Sequence, residues 1–121
     1  MKPTDNIPLL KMSLNYALGV IDFSGELEEA QKKVIAKKLL EAGFAISSNL
    51  YQAKKAERQA DYVYNIKVAQ KYTDETLYWL RQCLKSENYP KDPELVMMGQ
   101  MLLQQIDELL QNYRAGVQKD A

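Results

Sequence analysis

The fold is decided by forty residues, Lys32 to Lys71, which read KKVIAKKLLEAGFAISSNLYQAKKAERQADYVYNIKVAQK. This stretch contains no proline and a single glycine, Gly43, so no residue in it forces a helix to stop. Apolar residues recur along it at spacings of three and four, the pattern of an amphipathic helix. The pattern continues from Leu27 to about Glu87 and would form a rod of about 90 Å at about 1.5 Å per residue. A chain of 121 residues cannot bury such a rod, so we expect the helix to fold back on itself.

The apolar content drops at the polar run from Lys54 to Gln59, and the turn is expected there. It separates two helices, each with one apolar face. The face of the first consists of Ile35, Leu39, Ala42, Ile46, Asn49 and Ala53, and that of the second of Val63, Ile66, Ala69, Thr73, Leu77, Leu80 and Leu84.

A helix is also expected before this hairpin. Thr4, Asp5 or Asn6 is a suitable cap, Pro8 falls in the first turn, and Ser24-Gly25 is expected to end the helix. Its predicted apolar face comprises Ile7, Leu10, Leu14, Ala17, Leu18 and Ile21.

The last helix has the clearest start signal, Asp92-Pro93-Glu94. Asp suits the N-cap, proline lacks an N–H that would have no partner in the first turn, and Glu complements the helix dipole. Its predicted face comprises Leu95, Met98, Leu102, Ile106, Leu109 and Tyr113, and Gly116 is expected to precede a tail. Four helices with short connections predict an all-α, antiparallel up-down-up-down four-helix bundle, with residues 1–121 forming a single domain.

Composition limits the function. Sixteen basic and sixteen acidic residues balance, which argues against a protein that coats DNA, because nonspecific phosphate affinity comes from accumulated Lys and Arg. Any nucleic-acid role must therefore depend on local charge, and Lys32–Lys71 holds nine basic residues against three acidic ones, a net charge of +6. One cysteine, no signal-peptide pattern and no long apolar run favour a cytoplasmic protein without a membrane segment.

The residue types argue against catalysis. The chain has no histidine, the commonest general base and transition-metal ligand, and its adjacent acid pairs point to different faces of a helix. Cys83 is expected to be a buried structural residue, and Lys71 and Glu75 to form a surface ion pair. We expect no enzyme activity, no cofactor, no metal and no small-molecule substrate.

The segment AISSNLYQA, residues 45–53, closes the first helix of the hairpin, and Tyr62, Val68-Ala69 and Glu75 follow it. This series resembles the signature of the four-helix-bundle proteins encoded in intervening sequences of bacterial 23S ribosomal RNA genes. In that family a Ser-Ile-Pro-Ser-Asn-Ile-Ala-Glu-Gly run precedes a polar basic segment and a third helix with an aromatic residue. Here Ser47 replaces the proline, Gln52-Ala53 the Glu-Gly pair, and Lys71-Tyr72 a Gly-Ser pair.

The resemblance implies a compact antiparallel bundle without established enzymatic activity, often assembled into a ring of five subunits. Similar proteins that accompany diversity-generating retroelements have a strongly basic surface used with nucleic acid and a reverse transcriptase. For this chain the resemblance implies a homo-oligomer. It also implies an RNA or ribonucleoprotein partner, bound through a more modest basic surface because this chain is neutral overall.

The candidate nucleic-acid-binding residues lie at the expected turn and along the helix after it: Lys54, Lys55, Arg58, Lys67 and Lys71. Tyrosines among them are able to stack on bases. A solvated charged face is the alternative interpretation, and a protein-binding adaptor that uses tyrosines and methionines is the alternative function. Tyr78-Trp79 and the methionines at 97, 98 and 101 are expected in the core or at a subunit contact, and Asn49 is expected to have a structural role, bonded to a neighbouring helix or to the backbone of the turn.

Overall fold

The protein is described by a computed structural model, which covers the backbone of residues 7–120 and the side chains of residues 8–113. The described residues form four helices, each antiparallel to the next: α1 (Ile7–Glu29), α2 (Lys33–Lys55), α3 (Gln59–Lys85) and α4 (Pro93–Asp120). Each helix packs on the next, and α4 returns to α1, which confirms the predicted four-helix arrangement. Within these described residues there is no strand, and no helix has the length and apolarity needed to cross a membrane.

The turn between α2 and α3 lies inside the predicted polar run. Helix α2 ends at Lys55, Ala56 adopts an extended conformation, and α3 begins at Gln59. Ala56 N donates to Ala53 O at 3.1 Å, which closes the last turn of α2. The expectation of one long helix broken at this point is therefore confirmed.

Helix α1 does not end at Ser24-Gly25, as the sequence predicted, but continues to Glu29. Ser24 is buried, Leu27 is fully buried, and Gly25 faces open space. A glycine inside a helix costs about 1 kcal/mol, whereas burying a leucine side chain is worth about 1.5–3 kcal/mol. Burial of Leu27 therefore keeps the chain helical through the glycine.

The predicted apolar face of α1 is also wrong in part. Leu14 and Leu18 are 50% and 60% exposed. The helix instead turns a neighbouring stripe towards the core, comprising Leu9, Ser13, Tyr16, Ala17, Val20, Phe23 and Leu27. The predicted caps Thr4, Asp5 and Asn6, and the side chain of Ile7, lie outside the described residues.

Helix α4 begins as predicted. Pro93 is its first residue, and Asp92 Oδ1 accepts a hydrogen bond from Leu95 N at 3.0 Å, which is the expected N-cap contact. The backbone stays helical past Gly116 to Asp120, so this glycine does not end the helix as expected.

A buried polar contact ties α1 to α3 in the middle of the apolar core. Tyr16 Oη and Thr76 Oγ1 are 3.0 Å apart, and both residues are fully buried. Because Thr76 donates its single hydroxyl proton to Thr73 O at 2.8 Å, Tyr16 is the donor in this pair. Gly99 of α4 lies directly against the tyrosine, which leaves no room for a side chain there.

The contact at Gly99 predicts the effect of Gly99→Ala. The new methyl would lie 2.5 Å from Tyr16 Oη and 2.8 Å from Leu77 Cδ2, so the core must shift. Overpacking is expected to lower the free energy of unfolding by about 1–3 kcal/mol, whereas the helix propensity of alanine raises it by about 1 kcal/mol. We therefore expect a net loss of stability. Urea unfolding followed by far-UV circular dichroism measures it. Gly25→Ala is the matched control, because nothing lies within 4 Å of the added methyl and the protein should gain stability. Equal effects of the two substitutions would contradict the packing assigned to Gly99.

Burial raises the pKa of Tyr16 from 10.0 to about 12, although the Thr76 hydrogen bond and the charge of Arg81 lower it. The unfolded chain therefore loses this proton first, so the stabilisation is complete below pH 10.0 and is lost as the pH rises towards about 12. Relative to Tyr16→Phe, the wild type should lose about 1.4 kcal/mol more between about pH 8 and about pH 11. Chemical unfolding at several pH values measures this difference. The same pH dependence in the wild type and in Tyr16→Phe would contradict the assignment.

Candidate nucleic-acid interface

Three of the predicted nucleic-acid-binding residues lie at the α2–α3 turn. Lys54 and Lys55 occupy the last turn of α2, and Arg58 immediately precedes α3. Arg58 Nε donates to Asp61 Oδ2 at 2.9 Å, and Arg58 Nη2 donates to Asp61 Oδ1 at 3.3 Å. The hydrogen bond and the charge of Asp61 raise the pKa of the guanidinium. Arg58 is thus already paired with a carboxylate.

A cavity of about 390 Å³ opens at this turn, and we call it the hinge cavity. Lys55 and Arg58 contribute positive charge to its wall, and Glu57 and Asp61 contribute negative charge. Lys55 Nζ also lies 4.9 Å from the centre of the Tyr51 ring, a cation–π distance. The hinge cavity is therefore mixed in charge, which does not favour an anion.

Lys67 and Lys71 are exposed on α3, away from the turn. They lie roughly 12 Å and 18 Å along the helix axis from Gln59 at about 1.5 Å per residue. Lys71 Nζ is 5.6 Å from the centre of the Tyr72 ring, and these described side chains show no ion pair between Lys71 and Glu75, which corrects that expectation. The five predicted residues do not form one cluster.

Asn49 is half-buried, and its amide is satisfied within its own helix. Asn49 Nδ2 donates to Ala45 O, four residues earlier in α2, at 2.7 Å. The expected bond to a neighbouring helix or to the turn is not the one that forms. The side chain of Asn49 therefore bonds to the backbone inside α2, and this bond does not set the register between helices.

A second cavity, of about 440 Å³, lies at the opposite end of the bundle, and we call it the lysine–tryptophan cavity. It is bounded by the first turns of α2, by α3 and by the α3–α4 connection. Among the described residues, its wall contains three lysines and two aromatic rings but no carboxylate. The residues used below are Lys32, Lys33, Ile35, Lys38, Trp79 and Tyr89. Charge and aromatic surface are thus combined here, not at the turn.

The aromatic wall of this cavity is held in place by neighbouring residues. Lys32 Nζ lies 4.5 Å from the centre of the Tyr89 ring, and the Tyr78 and Trp79 rings meet edge to face at 4.9 Å. Trp79 Nε1 is hidden from solvent and has no hydrogen-bond acceptor among the described residues. A buried donor without a partner costs about 1–3 kcal/mol, so this N–H is an unusual feature of the wall.

Lys91 fixes the loop that supplies Tyr89. Its ammonium donates to three backbone carbonyls at the end of α3 and in the loop, those of Cys83, Ser86 and Tyr89, at 3.0, 2.5 and 3.3 Å. A cation at a helix C-terminus also complements the helix dipole. The position of Tyr89 beside α2 is therefore supported by a specific polar contact.

Cys83 is fully buried, as predicted. Burial raises the pKa of its thiol, and the charge of Lys91 partly opposes the shift. A buried thiol with a raised pKa is a poor nucleophile. In the described part of the chain no group of three or more acidic or sulfur side chains is arranged to hold a metal ion.

Sequence reasoning placed Trp79 in the core or at a subunit contact and did not connect it with Lys32, Lys33 and Lys38. These residues are more than 40 positions apart in the chain. The register of the α2–α3 hairpin is the signal that brings them together, because α3 runs back along α2 from the turn.

Comparisons with known proteins support the fold. No family model matches the chain, and no curated protein does. Among solved structures, the chain is similar to a protein of unknown function from Bacteroides thetaiotaomicron that is described as belonging to the S23 ribosomal protein family. The TM-score is 0.80 at 23% sequence identity, and the match covers 89% of this chain and 98% of the other. This similarity shows a shared four-helix fold across nearly the whole chain.

Proposed function

We propose that this protein is a non-enzymatic, self-assembling relative of the bundle proteins encoded in 23S rRNA intervening sequences, and that it binds structured RNA or a ribonucleoprotein. Two independent features support the proposal. One is the Ser48-Asn49-Leu50 series described above, and the other is the fold shared with a protein assigned to the S23 ribosomal protein family. A ring of five subunits is the assembly that the resemblance implies, and the composition favours the cytoplasm.

The observation that carries the RNA-binding proposal is the exposure of positive charge on the α2–α3 hairpin. Eight of the nine basic side chains between Lys32 and Lys71 are exposed, and the ninth, Lys32, is partly buried. The net charge of +6 in this stretch therefore belongs to a solvent-facing surface in a protein that is otherwise negative by the same amount. Such local charge attracts phosphate groups even when the whole protein is neutral.

The observation that carries self-assembly is the exposure of three large apolar side chains on α1 and α2, those of Leu14, Leu18 and Phe44. These side chains are 50%, 60% and 52% exposed. Gly43 of α2 packs against Val20 of α1, so in antiparallel register Leu18 and Phe44 lie at nearly the same level. We assign these exposed apolar side chains to an interface between subunits.

Helix α4 carries a second exposed apolar group, Met97 and Met101, at 62% and 56% exposure. Two different apolar surfaces on one subunit suit a head-to-tail contact, in which one surface of a subunit meets the other surface of its neighbour. Repeating such a contact around a closed ring supports the proposed cyclic assembly.

Self-assembly predicts a sedimenting mass above the 13.9 kDa of one chain at micromolar concentration. Each of Leu18→Glu and Phe44→Glu should weaken assembly at least about tenfold, because burying one such side chain is worth about 1.5–3 kcal/mol. Analytical ultracentrifugation measures the mass. Tyr64→Glu is the control, since it places the same charge at an exposed residue of α3. A wild-type monomer, or equal dissociation by Tyr64→Glu, would contradict the assignment of Leu18 and Phe44 to the interface.

RNA binding predicts a steep dependence on salt. Contact with three phosphates should weaken binding about 40-fold between about 50 and 200 mM salt, because counterions are released. Fluorescence anisotropy with a labelled RNA hairpin measures this affinity. The double variant Lys54→Glu, Lys55→Glu tests whether the lysines at the α2–α3 turn contribute to it. If no RNA is retained even at low salt, the RNA proposal fails, and the exposed Tyr64, Tyr78 and methionines then favour the adaptor function.

A further inference from the structure

The lysine–tryptophan cavity has the size and composition of a ligand site. Its volume of about 440 Å³ falls within the range of about 300–1,000 Å³ that is usual for small-molecule pockets. The cavity is widely open to solvent, and Ile35, Trp79 and Tyr89 contribute apolar surface to it. It is distinct from the hinge cavity, which lies at the other end of the bundle and contains Glu57 and Asp61.

The charge of this cavity has one sign. Lys32, Lys33 and Lys38 line it, and none of the described residues in its wall carries a carboxylate. Helix α2 also begins here: Lys32 makes no side-chain capping bond, and the first turn contains no acidic residue. The free N–H groups of that turn add to the positive potential of the lysines. An anion entering the cavity therefore meets only favourable charge on its wall.

The aromatic wall indicates which class of anion fits the lysine–tryptophan cavity. Trp79 lines the cavity beside the lysines. Tyr89 is already covered by Lys32 Nζ, which leaves Trp79 as the ring available for stacking. A planar heterocycle with an attached phosphate complements this arrangement, whereas a simple phosphate uses only the lysines.

We infer that the lysine–tryptophan cavity is a nucleotide site, in which a base stacks on Trp79 and its phosphate lies among Lys32, Lys33 and Lys38. The inference rests on the proposed nucleic-acid function and refines it, because it places base contact at the start of α2 and not at the α2–α3 turn. Stacking on an aromatic side chain beside several cations is the usual way in which proteins hold unpaired nucleotides. The nucleotide is either free or an unpaired residue of an RNA chain.

Trp79 is the only tryptophan, so intrinsic fluorescence reports on this cavity directly. The full-length protein is titrated with adenosine monophosphate, a short single-stranded RNA, adenosine and inorganic phosphate. We expect saturable quenching by a nucleotide probe and none by phosphate alone. Quenching by the RNA with little by the monophosphate assigns an RNA nucleotide, and the reverse assigns a free nucleotide. If neither probe changes the fluorescence, the inference is overturned.

Charge-matched variants separate the cavity from general electrostatics. Lys38→Glu should weaken nucleotide binding at least about tenfold, because one favourable contact becomes repulsive. Lys37→Glu is the matched control, since Lys37 is the exposed neighbour in the same helix and does not line the cavity. Trp79→Leu should weaken binding of labelled RNA about tenfold through loss of stacking, with circular dichroism confirming the fold.

The outcomes also separate the two proposals. If labelled RNA binds in a salt-dependent manner, but Trp79 does not respond and Lys38→Glu behaves like Lys37→Glu, the cavity is not the site and the RNA proposal stands. If labelled RNA does not bind at low salt while the monophosphate quenches Trp79, the RNA proposal fails and the cavity is a free-nucleotide site.

Discussion

The register between α2 and α3 is the constraint on which the rest of the structure depends. The connection from Ala56 to Arg58 is short, so the two helices leave it side by side and cannot slide without exposing their apolar faces. Ile35 lies twenty residues before Lys55, and Trp79 lies twenty residues after Gln59, which places them at the same level. The composition of the cavity at the far end thus follows from the length of the connection. Packing of α1 and α4 on this hairpin completes the core.

Much of the fold was predictable because its main boundaries have strong local signals. The polar run at the turn and the Asp92-Pro93 start act within a few residues, and both behave as expected. Helix α1 was predicted less well, since it has two overlapping apolar stripes and periodicity cannot decide which one is buried. The contact of Val20 with Gly43 selects the stripe that excludes Leu18, and this contact is a property of two helices together.

The candidate site was less predictable than the fold. The lysines were identified from the sequence by residue type and spacing. The electrostatic potential at each lysine also depends on neighbouring residues that are brought close by the packing of the helices. Arg58 is bound by Asp61, which lies within its own turn and was visible in the sequence. The hairpin register places Lys38 and Trp79 in the wall of the same cavity, and the contact of Lys91 with the end of α3 holds the loop that carries Tyr89. A charge count alone therefore did not reveal the end of the hairpin where lysines and aromatic rings lie together.

The contacts at Gly43 and Gly19 have a consequence for how such a chain can change in evolution. A methyl at Gly43 would approach Val20 Cγ1 to 2.8 Å, and one at Gly19 would approach Leu95 Cδ1 to 2.8 Å. At each of these two contacts between helices, packing limits the combined volume of the two side chains, because cores tolerate substitutions that conserve total volume. A larger residue on one helix is therefore acceptable when its partner becomes smaller. Paired drift of this kind preserves the spacing of the helices while erasing sequence identity.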